Sequence, residues 1–228
     1  RWATHGAVTV SNTHPHISQD GKFVMVHNGV IENFSTLKKF LIGKGIQFAS
    51  ETDSEVLCNL IAYHYSELPE ESNRFIDAVR LALPQCRGAY GIAVLCLDYP
   101  DMMVGARRGS PLVVGLGDDA NFIASDASAF VGRAKEAVFL NDGELAILKG
   151  NEFRITTMEG QEAQAITHPV DQISEEVELG EFDSYMEKEI YEQPVALKNT
   201  LRGRFGDDGT TAKLGGLEGH EDELRNLD

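Results

Sequence analysis

An Asn-Gly pair at the end of a predicted strand is the first candidate for chemistry in this sequence. The side-chain amide of Asn28 and the backbone N–H of Gly29 could point at one spot. Donors arranged in this way form an oxyanion hole, which stabilises the negative oxygen of a tetrahedral intermediate. An Asn-Gly dipeptide is also a common turn, and taken alone the pair favours the turn.

Two charged residues in neighbouring segments could bind a ligand. The planar guanidinium of Arg1 matches the two oxygens of a carboxylate, although a single arginine is more often a solvated surface residue. Asp53 follows the N-cap of a predicted helix and could accept a ligand ammonium, while the helix N-terminus keeps the carboxylate ionised. Simple compensation of the helix dipole is the plainer explanation for Asp53. Neither residue identifies a site by itself.

The histidines near the start of the chain raise the question of a metal site. His14-Pro15-His16 resembles the H-x-H pair of some metal-dependent hydrolases, and His5 and His27 are close in sequence. Further ligands with recognisable spacing are missing, because only three other histidines remain: His64, His168 and His220. We therefore predict no bound metal, and a buried hydrogen-bonding role beside the pocket for His14 and for His16.

Three cysteines at irregular spacing indicate no disulfide framework and favour a reducing compartment. Cys58 and Cys96 lie within apolar runs and are predicted to be small buried hydrophobes. Cys86, which precedes an arginine, is predicted to be a loop thiol without a partner.

Composition limits the class of partner. The 228 residues are 42% hydrophobic and carry a formal net charge of -16, which repels phosphate backbones and anionic lipid surfaces. No apolar run approaches the roughly 18 to 20 residues of a spanning helix. We expect one main domain, a soluble cytoplasmic protein, and neither nucleic acid nor membrane as partner.

Sequence periodicity predicts helices in the first third of the chain and strands after it. Phe23–Val26 reads as a strand that ends at a His27-Asn28-Gly29 loop. Helices are predicted over 32–44, from Thr52 with the S/T-x-x-E spacing of a capping box, and from about Ser72 to Pro84. Seven strands follow, over 89–97, 102–107, 112–116, 122–125, 137–140, 144–149 and 153–158. Their short connections favour antiparallel hairpins and an α+β sandwich.

The sequence from residue 161 onward indicates the end of the main domain. Residues 161–183 are acidic and weakly periodic, 185–204 read as a helix, and 206–228 contain few large apolar residues. We assign 1–160 to the main domain, 161–184 to a linker, and 185–228 to a connection that starts a further, truncated domain.

Several motifs in a fixed order resemble the glutaminase domain of the glucosamine-6-phosphate synthase family, a group of class II glutamine amidotransferases. The resemblance covers nearly the whole chain, and its last motif is the most specific because in that family it leads to a sugar-phosphate isomerase domain. The motifs are Arg1-Trp2-Ala3-Thr4-His5-Gly6, His27-Asn28-Gly29, Glu51-Thr52-Asp53, 87–91, 108–112, 122–126 and 186–194.

The resemblance implies an N-terminal-nucleophile hydrolase fold, a four-layer αββα sandwich with antiparallel sheets. It implies that Arg1 binds the α-carboxylate of glutamine and Asp53 its α-ammonium, with Thr4 and His5 in the same pocket and Asn28 and Gly29 as the oxyanion hole. Trp2 would gate the passage of ammonia. No cofactor and no metal are implied.

In that family an N-terminal cysteine thiol attacks the glutamine amide, ammonia leaves, and water releases glutamate from the thioester. The ammonia converts fructose 6-phosphate to glucosamine 6-phosphate in the isomerase domain, in an enzyme expected to be a homo-oligomer. Because no cysteine of this chain matches the nucleophile, we expect an N-terminally truncated domain that is inactive alone. Alternatives are another class II enzyme, such as the phosphoribosyl pyrophosphate amidotransferase, or a non-catalytic glutamine-binding module.

Overall fold

Two compact units, Arg1–Glu176 and Val177–Asp228, make up the chain in the computed structural model. The structure describes residues 6–70, 73–170 and 182–201. In the first unit these residues form two antiparallel sheets with helices packed on one of them. None of the helices within these ranges is long and apolar enough to cross a membrane.

The larger sheet has six strands in the order β1-β2-β3-β4-β8-β9. Its central strands are rich in valine, isoleucine and alanine, which suits a sheet that is covered on both faces. The strands are β1 His16–Ile17, β2 Phe23–Ile31, β3 Gly88–Cys96, β4 Tyr99–Arg108, β8 Glu144–Lys149 and β9 Glu152–Thr157.

The smaller sheet has four strands in the order β10-β7-β5-β6, all paired antiparallel. These strands are β5 Val113–Leu116, β6 Asn121–Ala124, β7 Glu136–Phe139 and β10 Thr167–Pro169. Short connections join β3 to β4 and β5 to β6, as an antiparallel arrangement allows.

Three helices of the first unit follow β2: α1 Phe34–Gly43, α2 Asp53–Glu67 and α3 Arg74–Ala82. The central helix, α2, is buried along nearly its whole first three turns. It begins where predicted, because the Thr52 hydroxyl accepts a hydrogen bond from the Glu55 N–H (3.2 Å). An N-cap bond of this kind stabilises a helix by about 1 kcal/mol.

Three apolar clusters define the layers. The largest lies between the helices and the six-stranded sheet and contains Phe23, Leu57, Phe75 and Ile92, all fully buried. A second lies between the two sheets, and a third covers the outer face of the smaller sheet. That outer layer includes the 3-10 turn Ala127–Phe130.

Three details differ from the predictions. Strand β2 does not stop at His27 but continues to Ile31, because each of its residues from 23 to 31 has a partner on β3. Cys86 lies in a loop as predicted, but its thiol is not without a partner, because it is buried and lies 3.6 Å from the Ala82 carbonyl oxygen. The first residues of the predicted linker, 161–184, are not irregular, because the Ala163 N–H donates to the Ile155 carbonyl and β10 pairs with β7.

The second unit contains helix α4, Tyr185–Leu201, within the predicted range of 185–204. Phe182 stacks on Tyr191 with ring centroids 5.5 Å apart, and Lys188 lies 3.7 Å from Glu192 one turn along the helix. Residues 202–204 lie outside the described residues.

Candidate functional site

Three of the predicted site residues, Asn28, Gly29 and Asp53, lie in the described part of the chain. The other four, Arg1, Trp2, Thr4 and His5, lie outside it. The geometry of the site is therefore built from the second and third motifs and from the residues that directly follow the first.

A buried hydrogen bond joins the second motif to the third. Asp53, which is 2% exposed, accepts the Ile31 N–H through Oδ2 at 2.8 Å. Its Oδ1 accepts the N–H of the next residue, Ser54, at 3.0 Å. The first residue of α2 is thus held against β2 two residues beyond Gly29, so that Asn28, Gly29 and Asp53 lie in one neighbourhood.

The end of the first motif also reaches this neighbourhood. Asn12, 2% exposed, accepts the Glu51 N–H (3.0 Å) and donates to the carbonyl of Ala7 (2.9 Å). Gly6 has a φ of 76°, and a Cβ there would lie 2.6 Å from the Asn12 amide nitrogen. All three motifs therefore converge. Sequence patterns did not single out Asn12, whose role depends on contacts 39 residues apart in the chain.

The β2–β3 ladder determines where the Gly29 N–H points. Glu32 donates to the Arg87 carbonyl across this ladder (2.9 Å). Hydrogen-bonded and non-hydrogen-bonded residues alternate in an antiparallel pair, so the N–H groups of Ile31 and Gly29 point away from β3. Ile31 agrees with this, because its N–H is bound by Asp53. The Gly29 N–H therefore points off the same edge of β2, toward the start of α2.

The Asn28 side chain adds a second donor close to that edge. It is exposed, and it lies on the face of the sheet opposite to the buried Phe23, Met25 and His27. Strand β1 pairs with Val24 and Met25, and among the described residues no strand pairs with the Asn28-Gly29 part of this edge. An amide N–H₂ and a backbone N–H at an open strand edge can both donate to one oxyanion.

Two buried histidines contact the residues on either side of Asp53. His16 Nε2 lies 3.3 Å from the Thr52 hydroxyl, and His27 Nδ1 lies 2.9 Å from the Ser54 hydroxyl. The predicted buried, hydrogen-bonded role is confirmed for His16. It is wrong for His14, which is exposed and contacts His16 edge to face at a centroid distance of 5.2 Å.

Metal ligation finds no support in the described ranges. Within residues 6–70, 73–170 and 182–201, no group of three or more His, Cys, Asp or Glu side chains is placed to hold a metal ion.

A second buried carboxylate shapes the start of α2. Glu55 does not return to the N-cap backbone as in a capping box. Instead it accepts from the N–H groups of Ala49 (2.7 Å) and Ser50 (2.6 Å) and from the Ser50 hydroxyl (2.6 Å). These bonds fix the chain that enters the helix. The positive end of the α2 dipole favours both carboxylates in the first turn.

A family model for the glutamine amidotransferase domain matches residues 5–132. The chain belongs to this family. The matched residues of this amidotransferase domain include Asn28, Gly29, Asp53 and the helix and strands that position them. The prediction of a glutamine amidotransferase domain is thereby confirmed.

Relatives of this amidotransferase domain include two proteins named glutamine–fructose-6-phosphate aminotransferase (isomerizing). The one from Caldanaerobacter subterraneus subsp. tengcongensis is 44% identical over 208 residues, which are 91% of this chain and 33% of that protein. The one from Chlorobaculum tepidum is 42% identical over 225 residues, 99% of this chain and 36% of that protein. The chain spans about a third of the length of these relatives.

Among solved structures, the glutamine phosphoribosylpyrophosphate amidotransferase from B. subtilis is similar with a TM-score of 0.55 and 25% identity. The match covers 67% of this chain and 33% of that one. Together with the two antiparallel sheets and the helical layer, this similarity confirms the predicted N-terminal-nucleophile hydrolase fold of α+β class.

The cysteines of this amidotransferase domain are unsuited to nucleophilic attack. Cys58, Cys86 and Cys96 are free and buried. Burial raises the pKa of all three thiols, that of Cys86 to about 12. Because the thiolate is the attacking species, these thiols stay unreactive near neutral pH. The prediction of buried, structural roles for Cys58 and Cys96 is confirmed.

Proposed function

We propose that this chain is part of the glutamine-hydrolysing domain of a glutamine–fructose-6-phosphate aminotransferase. The observation that carries the proposal is the bond between Asp53 and the Ile31 N–H, because it brings a buried carboxylate beside the open edge of β2 that holds Asn28 and Gly29. A carboxylate next to two oxyanion donors suits a substrate with an ammonium at one end and an amide at the other.

The proposed roles follow from this arrangement. Asn28 and Gly29 donate to the oxygen of the glutamine side-chain amide as it becomes an oxyanion. Asp53 binds the α-ammonium; its two oxygens accept the N–H groups of Ile31 and Ser54, which hold the carboxylate in place.

We assign the remaining contacts to the first motif on the basis of the family resemblance. Arg1 binds the α-carboxylate, Thr4 and His5 complete the pocket, and Trp2 gates the exit of ammonia. Their direct continuation, Gly6 and Ala7, lies beside Glu51, next to the proposed ammonium site, which supports this assignment.

Hydrolysis proceeds in two steps. A thiol passes its proton to a neighbouring amine base and attacks the carbon of the side-chain amide, which forms a tetrahedral oxyanion. The base returns the proton to the nitrogen as the C–N bond breaks, so that ammonia leaves and a γ-glutamyl thioester remains. Water then attacks the thioester, releases glutamate and restores the thiol. The thiol comes from a residue outside residues 1–228, since the three cysteines within them are buried.

For the complete protein we propose that the ammonia reacts with fructose 6-phosphate in a separate isomerase domain. The names of the relatives support this proposal, as does their length, about three times that of this chain. We keep the boundary near 161–184 as the connection toward that domain, and a homo-oligomeric assembly. We place the protein in the cytoplasm, because its cysteines are all free thiols.

A phosphoribosyl pyrophosphate amidotransferase is the second candidate, because a solved structure of that name resembles this fold. Its 25% identity contrasts with the 42–44% of the aminotransferase relatives, which favours the first candidate.

The complete protein, purified and supplied with glutamine, tests the proposal. Glutamate release that is coupled to amination of fructose 6-phosphate is the expected result, and coupling to phosphoribosyl pyrophosphate would favour the second candidate. Glutamine binding without any hydrolysis would indicate a non-catalytic module. Stoichiometric zinc or manganese in elemental analysis would count against both enzymes.

A further inference from the structure

The bend at Gly109–Pro111, which we call the turn, lies against the proposed oxyanion hole. A Cβ placed on Gly29 would lie 2.1 Å from the Ala89 carbonyl oxygen and 3.0 Å from the Ser110 hydroxyl. One placed on Gly91, which is the ladder partner of Asn28, would lie 2.9 Å from the Pro111 carbonyl oxygen. The Gly109–Pro111 turn therefore packs close to Gly29 and to Gly91 on β3.

The turn can approach this closely only because glycine occupies each contact. Gly29 has a φ of 129° and Gly109 a φ of 72°, both in the region that favours glycine. Gly109 also forms an isolated bridge with Tyr90, and a Cβ on it would lie 3.0 Å from the Ala89 Cβ. Since real Cβ atoms essentially never lie within 3.0 Å of such neighbours, only glycine fits at position 29.

Asp142 anchors the turn from the far side. Its Oδ1 accepts the Gly109 N–H (2.9 Å) and lies 3.2 Å from the Nε of Arg107. Arg107 in turn donates to the Leu140 carbonyl. The Asp142 side chain is 57% exposed, so the ion pair itself adds little stability. Its effect is geometric, because it fixes where the turn meets the sheet.

Arg108 holds the strand ends beneath the turn. Its guanidinium donates to the carbonyls of Gly88 (3.0 Å) and Cys86 (2.6 Å) and lies 4.9 Å from the centre of the Tyr90 ring. The start of β3 and the end of β4 are thus joined behind Gly29. Preorganised donors that need no rearrangement during the reaction contribute most to oxyanion stabilisation.

We infer that Ser110 and Asp142 are positioning residues for the oxyanion hole: Ser110 by contact with Gly29, and Asp142 by anchoring the turn that carries Ser110. This inference rests on the proposed function. In the complete protein, Ser110→Ala and Asp142→Ala should each lower kcat for glutamine hydrolysis by about 10- to 100-fold, because a misplacement of about 1 Å can cost that much. KM for glutamine should change less than about threefold, since Asp53 and its bonds are unaffected.

Three further measurements separate positioning from general damage. Asp142→Asn should recover most of the lost kcat, because its Oδ1 still accepts the Gly109 N–H. Asp118→Ala removes another exposed carboxylate, which is paired with Lys135, and should leave kcat unchanged. The affinity for glutamate γ-semialdehyde, which forms a tetrahedral adduct with the thiol, should fall with kcat, whereas the affinity for glutamate should not.

The outcomes distinguish this inference from the function on which it rests. An active wild-type protein whose Ser110→Ala and Asp142→Ala variants keep full kcat would overturn the positioning roles alone. Equal losses of affinity for glutamate and for the aldehyde would also overturn them, since that pattern reports a disturbed pocket. A wild-type protein without glutaminase activity would overturn both the proposed function and the inference.

Discussion

Replacing Asn28 by alanine separates catalysis from stability in this domain. The Asn28 side chain is exposed and makes no hydrogen bond to any residue that the structure describes. Its backbone pairs with Gly91, and alanine keeps this pairing. The substitution therefore removes a side-chain amide at the open edge of β2 and leaves the ladder and the core intact.

The expected effect of Asn28→Ala on turnover is much larger than its expected effect on stability, so the two can be told apart. An exposed substitution of this kind changes the free energy of unfolding by at most about 0.5 kcal/mol. Loss of an oxyanion donor lowers turnover by about 10²- to 10³-fold, equivalent to roughly 2.7 to 4 kcal/mol of transition-state stabilisation. A change of about 0.5 kcal/mol corresponds to little more than a twofold effect, so instability cannot account for the predicted loss.

Steady-state glutaminase kinetics of the complete protein, together with a thermal unfolding curve, provide the assay. We expect kcat to fall by about 10²- to 10³-fold while KM for glutamine and the unfolding midpoint stay close to wild type. Asn151→Ala is a matched control. Asn151 lies in the turn between β8 and β9, and its exposed side-chain amide donates to the Asp118 carbonyl. An unchanged kcat in Asn28→Ala would refute the oxyanion role, and a lowered unfolding midpoint would refute the structural reasoning.

Three further predictions follow from the geometry. Asp53→Asn should raise KM for glutamine by about 10- to 100-fold, because it removes a charged hydrogen bond worth roughly 1.5 to 3 kcal/mol, and a KM within twofold of wild type would contradict the assignment. Thr52→Ala should lower the free energy of unfolding by about 1 kcal/mol in urea denaturation, because the Glu55 N–H loses its cap; no change would show that the cap is dispensable. Cys86 should resist iodoacetamide at pH 8 until the protein is unfolded, because burial raises its pKa to about 12, and rapid labelling of the native protein would exclude this.

Sequence patterns predicted the helices and strands well where residues close in the chain determine them. The Thr52 cap marked the start of α2, and alternating apolar residues marked the strands from β3 to β9. Contacts between distant residues account for the main misses. The His27-Asn28-Gly29 segment has the composition of a turn, yet it is a strand because Tyr90, Gly91 and Ile92 pair with it from more than 60 residues away.

The site was predicted in part for a similar reason. Asp53 and the Asn28-Gly29 pair have residue types that indicate chemistry, and the order of the motifs indicated the family. Asn12 and Asp142 have ordinary types for loop residues, and Ser110 lies in the 108–112 motif without a role assigned to it. The role of each depends on contacts with residues far away in the chain. Such contacts cannot be predicted from periodicity or from the spacing of residues.

The position of the site follows from a local gap in the larger sheet. Strand β2 extends six residues beyond its pairing with β1 in the described structure, so this part of its edge would present unpaired N–H groups. Asp53 satisfies the last of them, that of Ile31, and in doing so brings the start of α2 to the edge. The Gly29 N–H is left pointing to the same side, beside a carboxylate. Asp53 therefore has two functions, closing the strand edge and binding an ammonium, and an asparagine at this position preserves an acceptor for the first while it removes the charge that the second requires.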